Sequence, residues 1–147
     1  MARKIVVTSG KGGVGKTTVC ANLGVYLSRL GFRVCMLDVD IGLNNLDVVM
    51  GLEKQVIFDI TDVVSGKCRV RQALIQDFNY PSLYLLPSSH SYASSKITGE
   101  HIKNIPDIID YSFDYILLDC PAGVEAGFHR AVYPADEAIV VVTPHLS

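Results

Sequence analysis

The chain has 147 residues, of which 49% are hydrophobic, and its formal net charge at pH 7 is −2. This length and apolar content suit a globular unit with a sizeable core, and we expect residues 1–147 to form a single domain. The weak negative charge argues against a general attraction to nucleic acid or to an anionic membrane. The first apolar run, Ile5–Val7, is too short for a signal peptide, and no run approaches the length of a transmembrane helix.

The first segments predict a strand, a turn, a helix and a second strand. Lys4–Thr8 is rich in Ile and Val and reads as a buried strand, followed by a glycine-rich turn. From Lys16 the spacing of the apolar residues becomes helical. These residues share one helix face: Cys20, Leu23, Leu27 and Leu30. Gly31 is suited to cap this helix, and Arg33–Leu37 is an apolar strand.

The middle of the chain predicts shorter elements. Val39–Leu52 reads as a loop with local turns and a short helix. Helical segments are expected near Ile60–Ser65 and Val70–Gln76. Leu83–Leu86 is a third apolar strand, and Pro87 ends it because proline cannot donate to a sheet hydrogen bond.

The last part of the chain begins with a polar loop at Ser88–Ser95. A helix is expected around Glu100–Ile109, where Pro106 must either kink the helix or mark its start. Tyr115–Leu118 and Ala138–Val142 are two further apolar strands.

Apolar strands that alternate with helices are typical of a parallel sheet covered on both faces. The sequence therefore predicts an α/β fold with a mostly parallel central sheet. The chain ends soon after its last predicted strand, where an open sheet would normally continue. We therefore expect a sheet that is truncated at its C-terminal side.

A phosphate-binding loop lies between the first strand and the first helix. Its sequence matches the motif G-x-x-x-x-G-K-[ST] in the required strand–loop–helix context. The matching residues are Gly10, Lys11, Gly12, Gly13, Val14, Gly15, Lys16 and Thr17. Glycines let the backbone N–H groups converge on phosphate, and the helix N-terminus adds positive potential. Lys16 is predicted to reach the β- and γ-phosphates, and the Thr17 hydroxyl to bind Mg²⁺.

Lys11 is a second lysine in this loop. It is not needed to hold phosphate within one chain, and its side chain starts at the base of the loop. Two interpretations stay open from the residues alone: Lys11 reaches a nucleotide across a subunit boundary, or it is a solvated surface lysine.

Three aspartates follow apolar strands and are candidates for the chemistry of a bound triphosphate. Asp119 ends the strand Tyr115–Leu118 and is placed to support the Mg²⁺ shell. Asp38 and Asp40 follow the second strand, and their i, i+2 spacing in an extended segment points both side chains the same way. One could position water while the other supports the metal or the loop. The alternative is that these aspartates only cap turns.

Two further features complete the candidate list. Gly123 lies just beyond Asp119, where a glycine N–H can bond a γ-phosphate and release it after hydrolysis; a plain strand-to-helix turn fits the same residues. The four cysteines have no C-x-x-C or metal-ligand spacing. We expect them to be reduced thiols, mostly packed as small apolar groups.

The motifs resemble those of the MinD/ParA family of deviant Walker A ATPases. Residues 11–18 resemble the family's phosphate loop, which adds Thr18 to it, and residues 117–125 resemble its Walker B and switch II segments. Residues 38–47, with 50–53, resemble switch I of the MinD branch in particular. The likeness runs over nearly the whole chain and covers about the first half of a typical member. It implies the three-layer P-loop NTPase fold.

The resemblance also implies roles. ATP and Mg²⁺ would be sandwiched in a homodimer, with Lys11 contacting the phosphates bound to the other subunit. Lys16 and Thr17 would hold phosphate and Mg²⁺, Asp40 would orient the hydrolytic water and belong to the metal site, and Asp119 would support the Mg²⁺ shell. Asp38 and Gly123 are included as nucleotide-site residues on the same grounds.

The family resemblance implies partners and a location as well. ATP-bound dimers would bind the inner membrane and recruit the division inhibitor MinC, with MinE as a possible activator of hydrolysis. The protein would be cytoplasmic and peripheral on the inner face of the membrane. The family's C-terminal membrane-targeting helix has no counterpart in these 147 residues. No nucleic-acid partner is expected.

Other functions remain open at this point. A ParA-type DNA-segregation ATPase shares the loop and the dimer switch, and a flagellar-number regulator belongs to the same family. A reductase-type relative with an iron–sulfur cluster between subunits would need suitably placed cysteines. A fragment that binds nucleotide without turnover is a non-enzymatic alternative.

Overall fold

The computed structural model describes residues 1–9, 15–39, 46–88, 103–120 and 136–142. The strands are β1 (Arg3–Ser9), β2 (Val34–Asp38), β3 (Ile75–Gln76), β4 (Leu83–Leu86), β5 (Tyr115–Asp119) and β6 (Glu137–Val141). The α-helices are α1 (Lys16–Arg29), α2 (Leu46–Val49), α3 (Ile60–Val64), α4 (Val70–Ala73) and α5 (Ile105–Ile109). Short 3-10 turns occupy Glu53–Gln55 and Asp110–Ser112.

The described strands form one six-stranded sheet in the order β3-β4-β2-β5-β1-β6. Every pairing is parallel except that of β3 with β4. The predicted α/β fold with a mostly parallel sheet is therefore confirmed. Parallel strands bring their carboxyl ends to the same edge, and the register places Asp38 and Val7 opposite Asp119 there.

The sheet is covered on both faces in its central strands. On one face α1 packs through Cys20 and Leu27 against strand residues such as Met36 and Leu117. On the other face the short helices pack against the opposite side chains of the same strands. Their buried residues include Ile60 of α3, Val70 of α4, and Ile105 and Ile109 of α5, beside Leu37, Ile116 and Leu118.

Most predicted elements are found close to their expected bounds, and two are corrected. The segment Val70–Gln76 is not one helix: α4 ends at Ala73, and β3 follows as a two-residue antiparallel edge strand. A two-residue strand is too short to show the alternation of side chains that distinguishes a strand from a helix in the sequence. Pro106 marks the start of α5, in its first turn, where its missing N–H has no helical partner to lose. The helix predicted over Glu100–Ile109 thus begins at Ile105, and residues 89–102, which include most of the predicted polar loop, lie outside the described residues.

The predicted apolar face of α1 is partly wrong. Leu30 follows the helix and is 56% exposed, whereas Gly24 and Ser28 are buried. Ser28 lies against the start of β4, where its hydroxyl is 2.7 Å from that of Ser82. Gly31 has a φ of +95° directly after the helix end, as the predicted cap requires.

The four cysteines are free thiols, as predicted. Cys20, Cys35 and Cys120 are buried in the two apolar clusters, and Cys68 is half-buried. In the part of the chain that the structure describes, no helix has the length and hydropathy needed to cross a bilayer.

Candidate functional site

The first turn of α1 faces the carboxyl ends of the central strands. Gly15 precedes the helix with a φ of +83°, a left-handed conformation that glycine adopts without strain. Its carbonyl accepts the first helical hydrogen bond, from the Val19 N–H at 2.9 Å. Among the described residues, no atom lies within 4 Å of a Cβ built at Gly15. Lys16 and Thr17 then begin the helix next to Asp119.

Asp119 contacts both of these residues through different carboxylate oxygens. Its Oδ1 forms an ion pair with the Lys16 ammonium, and its Oδ2 accepts a hydrogen bond of 3.1 Å from the Thr17 hydroxyl. Asp119 is 1% exposed and Lys16 is 8% exposed. The two buried charges therefore offset each other's desolvation, and the pair fixes the first turn of α1 to the end of β5.

Asp38 lies beside Asp119 in the neighbouring strand. It is fully buried, and its Oδ2 accepts a hydrogen bond of 3.4 Å from the Leu46 N–H, at the first residue of α2. The next residue, Val39, donates its N–H to the Asp119 carbonyl at 3.0 Å. Asp38 thus connects the end of β2 to the start of α2, across the segment 40–45 that contains Asp40.

The donor set fits a magnesium-bound nucleotide. A hydroxyl and carboxylates are the ligands that Mg²⁺ prefers, and a lysine at a helix N-terminus is suited to phosphate. With their ordinary charges, Lys16, Asp38 and Asp119 sum to −1, from one positive and two negative groups. An anionic triphosphate needs additional positive charge to bind beside them, which Mg²⁺ and a second loop lysine would supply.

Cys20 is a neighbour of this site that the sequence did not indicate. It lies one turn after Lys16 on α1, fully buried. Burial raises the pKa of its thiol well above the usual value, with the Asp119 carboxylate acting in the same direction and Lys16 against it. The thiol is therefore protonated and unreactive. A cysteine within an apolar helical face gives no sequence signal that it faces a carboxylate more than ninety residues away.

The described residues include only part of the predicted site. The structure brings Gly15, Lys16, Thr17, Asp38 and Asp119 to one edge of the sheet, and Thr18 is exposed on the same helical turn. The remaining predicted residues lie outside the described ranges: Gly10, Lys11, Gly12, Gly13, Val14, Asp40 and Gly123. Within the described ranges, no group of three or more His, Cys, Asp or Glu side chains could hold a metal ion.

The comparisons with known proteins agree on one family. A family model described as an AAA domain matches residues 2–147. The septum site-determining protein MinD of Bacillus subtilis is 53% identical over 148 aligned residues, covering 100% of this chain and 55% of that protein. The chain therefore spans about half the length of the curated relatives it matches.

Two solved structures are similar in both sequence and fold. The first is a MinC:MinD cell-division complex from Aquifex aeolicus, with 46% identity and a TM-score of 0.85 over 98% of this chain and 57% of that one. The second is MinD with Mg-ADP from Pyrococcus horikoshii, with 34% identity and a TM-score of 0.88 over 99% of this chain and 59% of that one.

Proposed function

The chain belongs to the AAA-domain family and, within it, to the MinD/ParA P-loop ATPases, and we propose that it is the N-terminal part of a septum-site-determining ATPase. The observation that carries this proposal is the joint contact of Lys16 and Thr17 with Asp119 at the carboxyl edge of the sheet. That contact brings together the lysine, the hydroxyl and the carboxylate that a phosphoryl-transfer site requires.

The chain's own residues would act as follows. Bound Mg–ATP supplies the phosphoryl group that is transferred to water. Lys16 would hold the β- and γ-phosphates, and the Thr17 hydroxyl would hold Mg²⁺. Asp119 would support the metal, while Asp38 accepts from the Leu46 N–H and holds the start of α2.

Two residues outside the described ranges complete the proposed mechanism. Asp40, two residues beyond the buried Asp38, orients the attacking water close to the metal. Lys11 of each subunit contacts the phosphates held by the other, so that hydrolysis is coupled to assembly of a homodimer.

We further propose that the whole protein acts at the membrane in the placement of the division septum. The relative of known structure that is bound to MinC supports MinC as a partner. MinE is proposed as an activator of hydrolysis. In this account the protein is cytoplasmic and binds the inner face of the membrane through its C-terminal region, and no nucleic acid takes part.

Nucleotide binding tests the site directly. We expect saturable binding of a fluorescent ATP analogue that depends on Mg²⁺, together with release of phosphate. Lys16→Ala should weaken binding at least about tenfold, because it removes charge-assisted hydrogen bonds to phosphate. Lys54→Ala is the matched control, since Lys54 is exposed on a 3-10 turn away from Asp119. Equal affinities for the two variants would contradict the proposed site.

A further inference from the structure

A pocket lies at the edge of the sheet opposite to the one that carries Asp119. Its volume is about 520 Å³, within the usual range for small-molecule sites. Part of the lining precedes three parallel strands: Arg33 lies before β2, Ser82 before β4, and Ser112 and Phe113 before β5. Since Arg33 and Asp38 lie at opposite ends of β2, the pocket is separated from the phosphate site by roughly 16 Å of extended strand.

Two arginines give this pocket an uneven charge. Arg33 is neutralised by Asp114, with its Nη2 at 3.1 Å from Oδ1 and its backbone N–H donating to Oδ2 at 2.8 Å. These hydrogen bonds lower the pKa of the Asp114 carboxyl. Arg71 instead donates to the neutral Ser112 hydroxyl at 2.6 Å, and no acid among the described residues is within ion-pair distance of it. The pocket therefore retains the charge of one guanidinium.

Beside its arginines and serines, the pocket is lined by apolar and aromatic residues. Phe113 is buried, and its ring meets that of Tyr84 edge-to-face with centroids 5.6 Å apart. Leu74, at the end of α4, lines the same space. A guanidinium held by one hydroxyl beside such a surface suits an anionic group attached to an apolar or aromatic body.

We propose that this pocket binds a small organic anion, a carboxylate or a phosphate monoester with an apolar body, and that Arg71 is its charged contact. The Arg71 guanidinium supplies the charge that attracts the anion, while Leu74, Tyr84 and Phe113 line the space for the rest of the ligand. Nothing in this arrangement uses the phosphate loop, so binding at the two edges is separate.

Residue-resolved titration of the ¹⁵N-labelled protein tests this proposal. Phenyl phosphate and benzoate should each give saturable shifts of the amide signals of Arg71, Ser112 and Phe113, and inorganic phosphate should bind more weakly because it lacks the apolar body. Arg71→Gln should weaken phenyl phosphate binding at least about tenfold. Arg69→Gln carries the same charge change two residues away, outside the lining, and should change the affinity less than about twofold, as expected for a screened charge.

Several results would overturn the proposal. These are the absence of saturable shifts at the three amides, equal affinity for inorganic and phenyl phosphate, or equal weakening in the Gln variants of Arg71 and Arg69. Arg71→Lys provides an independent variant, because it keeps the charge and should retain saturable binding. A loss in Arg71→Lys as complete as in Arg71→Gln would also count against the proposal.

Discussion

At the residue scale, Asp119 organises the described half of the site. Its carboxylate accepts hydrogen bonds from the first two residues of α1. Oδ1 accepts from the Lys16 ammonium, and Oδ2 accepts from the Thr17 hydroxyl. Both groups are therefore held at the strand end, within reach of a nucleotide at the helix N-terminus.

The Thr17 hydroxyl gives the most specific residue-scale prediction. Thr17→Val keeps the shape of the side chain but removes the proposed Mg²⁺ ligand, so the Mg²⁺-dependent gain in ATP affinity should fall at least about tenfold. Thr17→Ser, which keeps the hydroxyl, should behave as the wild type. Calorimetric titration of ATP with and without Mg²⁺ measures the gain, and a Thr17→Val protein that keeps it would remove Thr17 from the metal site.

Sequence alone predicted the candidate residues that the structure brings together, but not their contacts. Lys16 and Thr17 were identified by the loop motif and Asp119 by its position at a strand end. The pairing of Lys16 with Asp119 spans 103 positions and depends on β5 lying between β1 and β2. That strand order is set by packing of the whole sheet, which no local pattern encodes.

At the scale of elements, the contact between α1 and β2 depends on the absence of a side chain at Gly24. Gly24 lies on the buried face of α1, and a Cβ built there would be 2.7 Å from the Met36 sulfur and 3.2 Å from Leu83 Cδ1. Met36 is itself fully buried and has little room to move. The helix approaches the sheet closely because Gly24 has no side chain, a feature that the apolar period of Cys20 and Leu27 did not reveal.

Gly24→Ala is therefore expected to destabilise the protein despite its better helix propensity. Overpacking against Met36 costs about 1–3 kcal/mol, whereas the propensity gain is about 1 kcal/mol, so the net loss should be about 1 kcal/mol. Asn22→Ala, at an exposed position of the same helix, should be neutral or slightly stabilising. Urea unfolding of both variants measures the difference. A more stable Gly24→Ala protein would show that Met36 can repack.

At the scale of the whole molecule, the fold buries two thiols, Cys20 on α1 and Cys35 on β2. Burial raises the pKa values of Cys20 and Cys35 above the usual thiol value. Below the pKa of the unfolded chain, at about 8.5, both states are protonated and stability is unaffected. Above it, the unfolded thiols ionise while the folded ones do not, so stability falls as pH rises.

The variant Cys35→Ala tests this linkage. Between pH 9 and 10, each buried thiol should lower the free energy of unfolding by about 1 kcal/mol per pH unit. Cys35→Ala should therefore lose stability less steeply than the wild type, whatever its stability at pH 7. Urea unfolding at several pH values in the presence of a reductant gives both slopes. Parallel slopes would mean that Cys35 ionises as readily in the folded protein as in the unfolded one.

The mostly parallel sheet was predictable because continuous apolar strands alternate with helices along the chain. The antiparallel β3 was not, since two residues give no period. The grouping of Asp38 and Asp119 at one edge followed from the parallel sheet. That the two residues lie directly opposite each other could not be predicted, because it depends on the register of β2 against β5.

We propose that nucleotide bound at this edge drives formation of a dimer. Light scattering in the presence of Mg–ATP, applied to this chain and to the full-length protein, tests it most directly. We predict that the full-length protein dimerises with ATP, that Asp40→Ala traps the dimer by slowing hydrolysis, and that Lys11→Ala and Lys16→Ala abolish it. A full-length protein that stays monomeric with ATP in every form would contradict the dimer switch and leave only a nucleotide-binding domain.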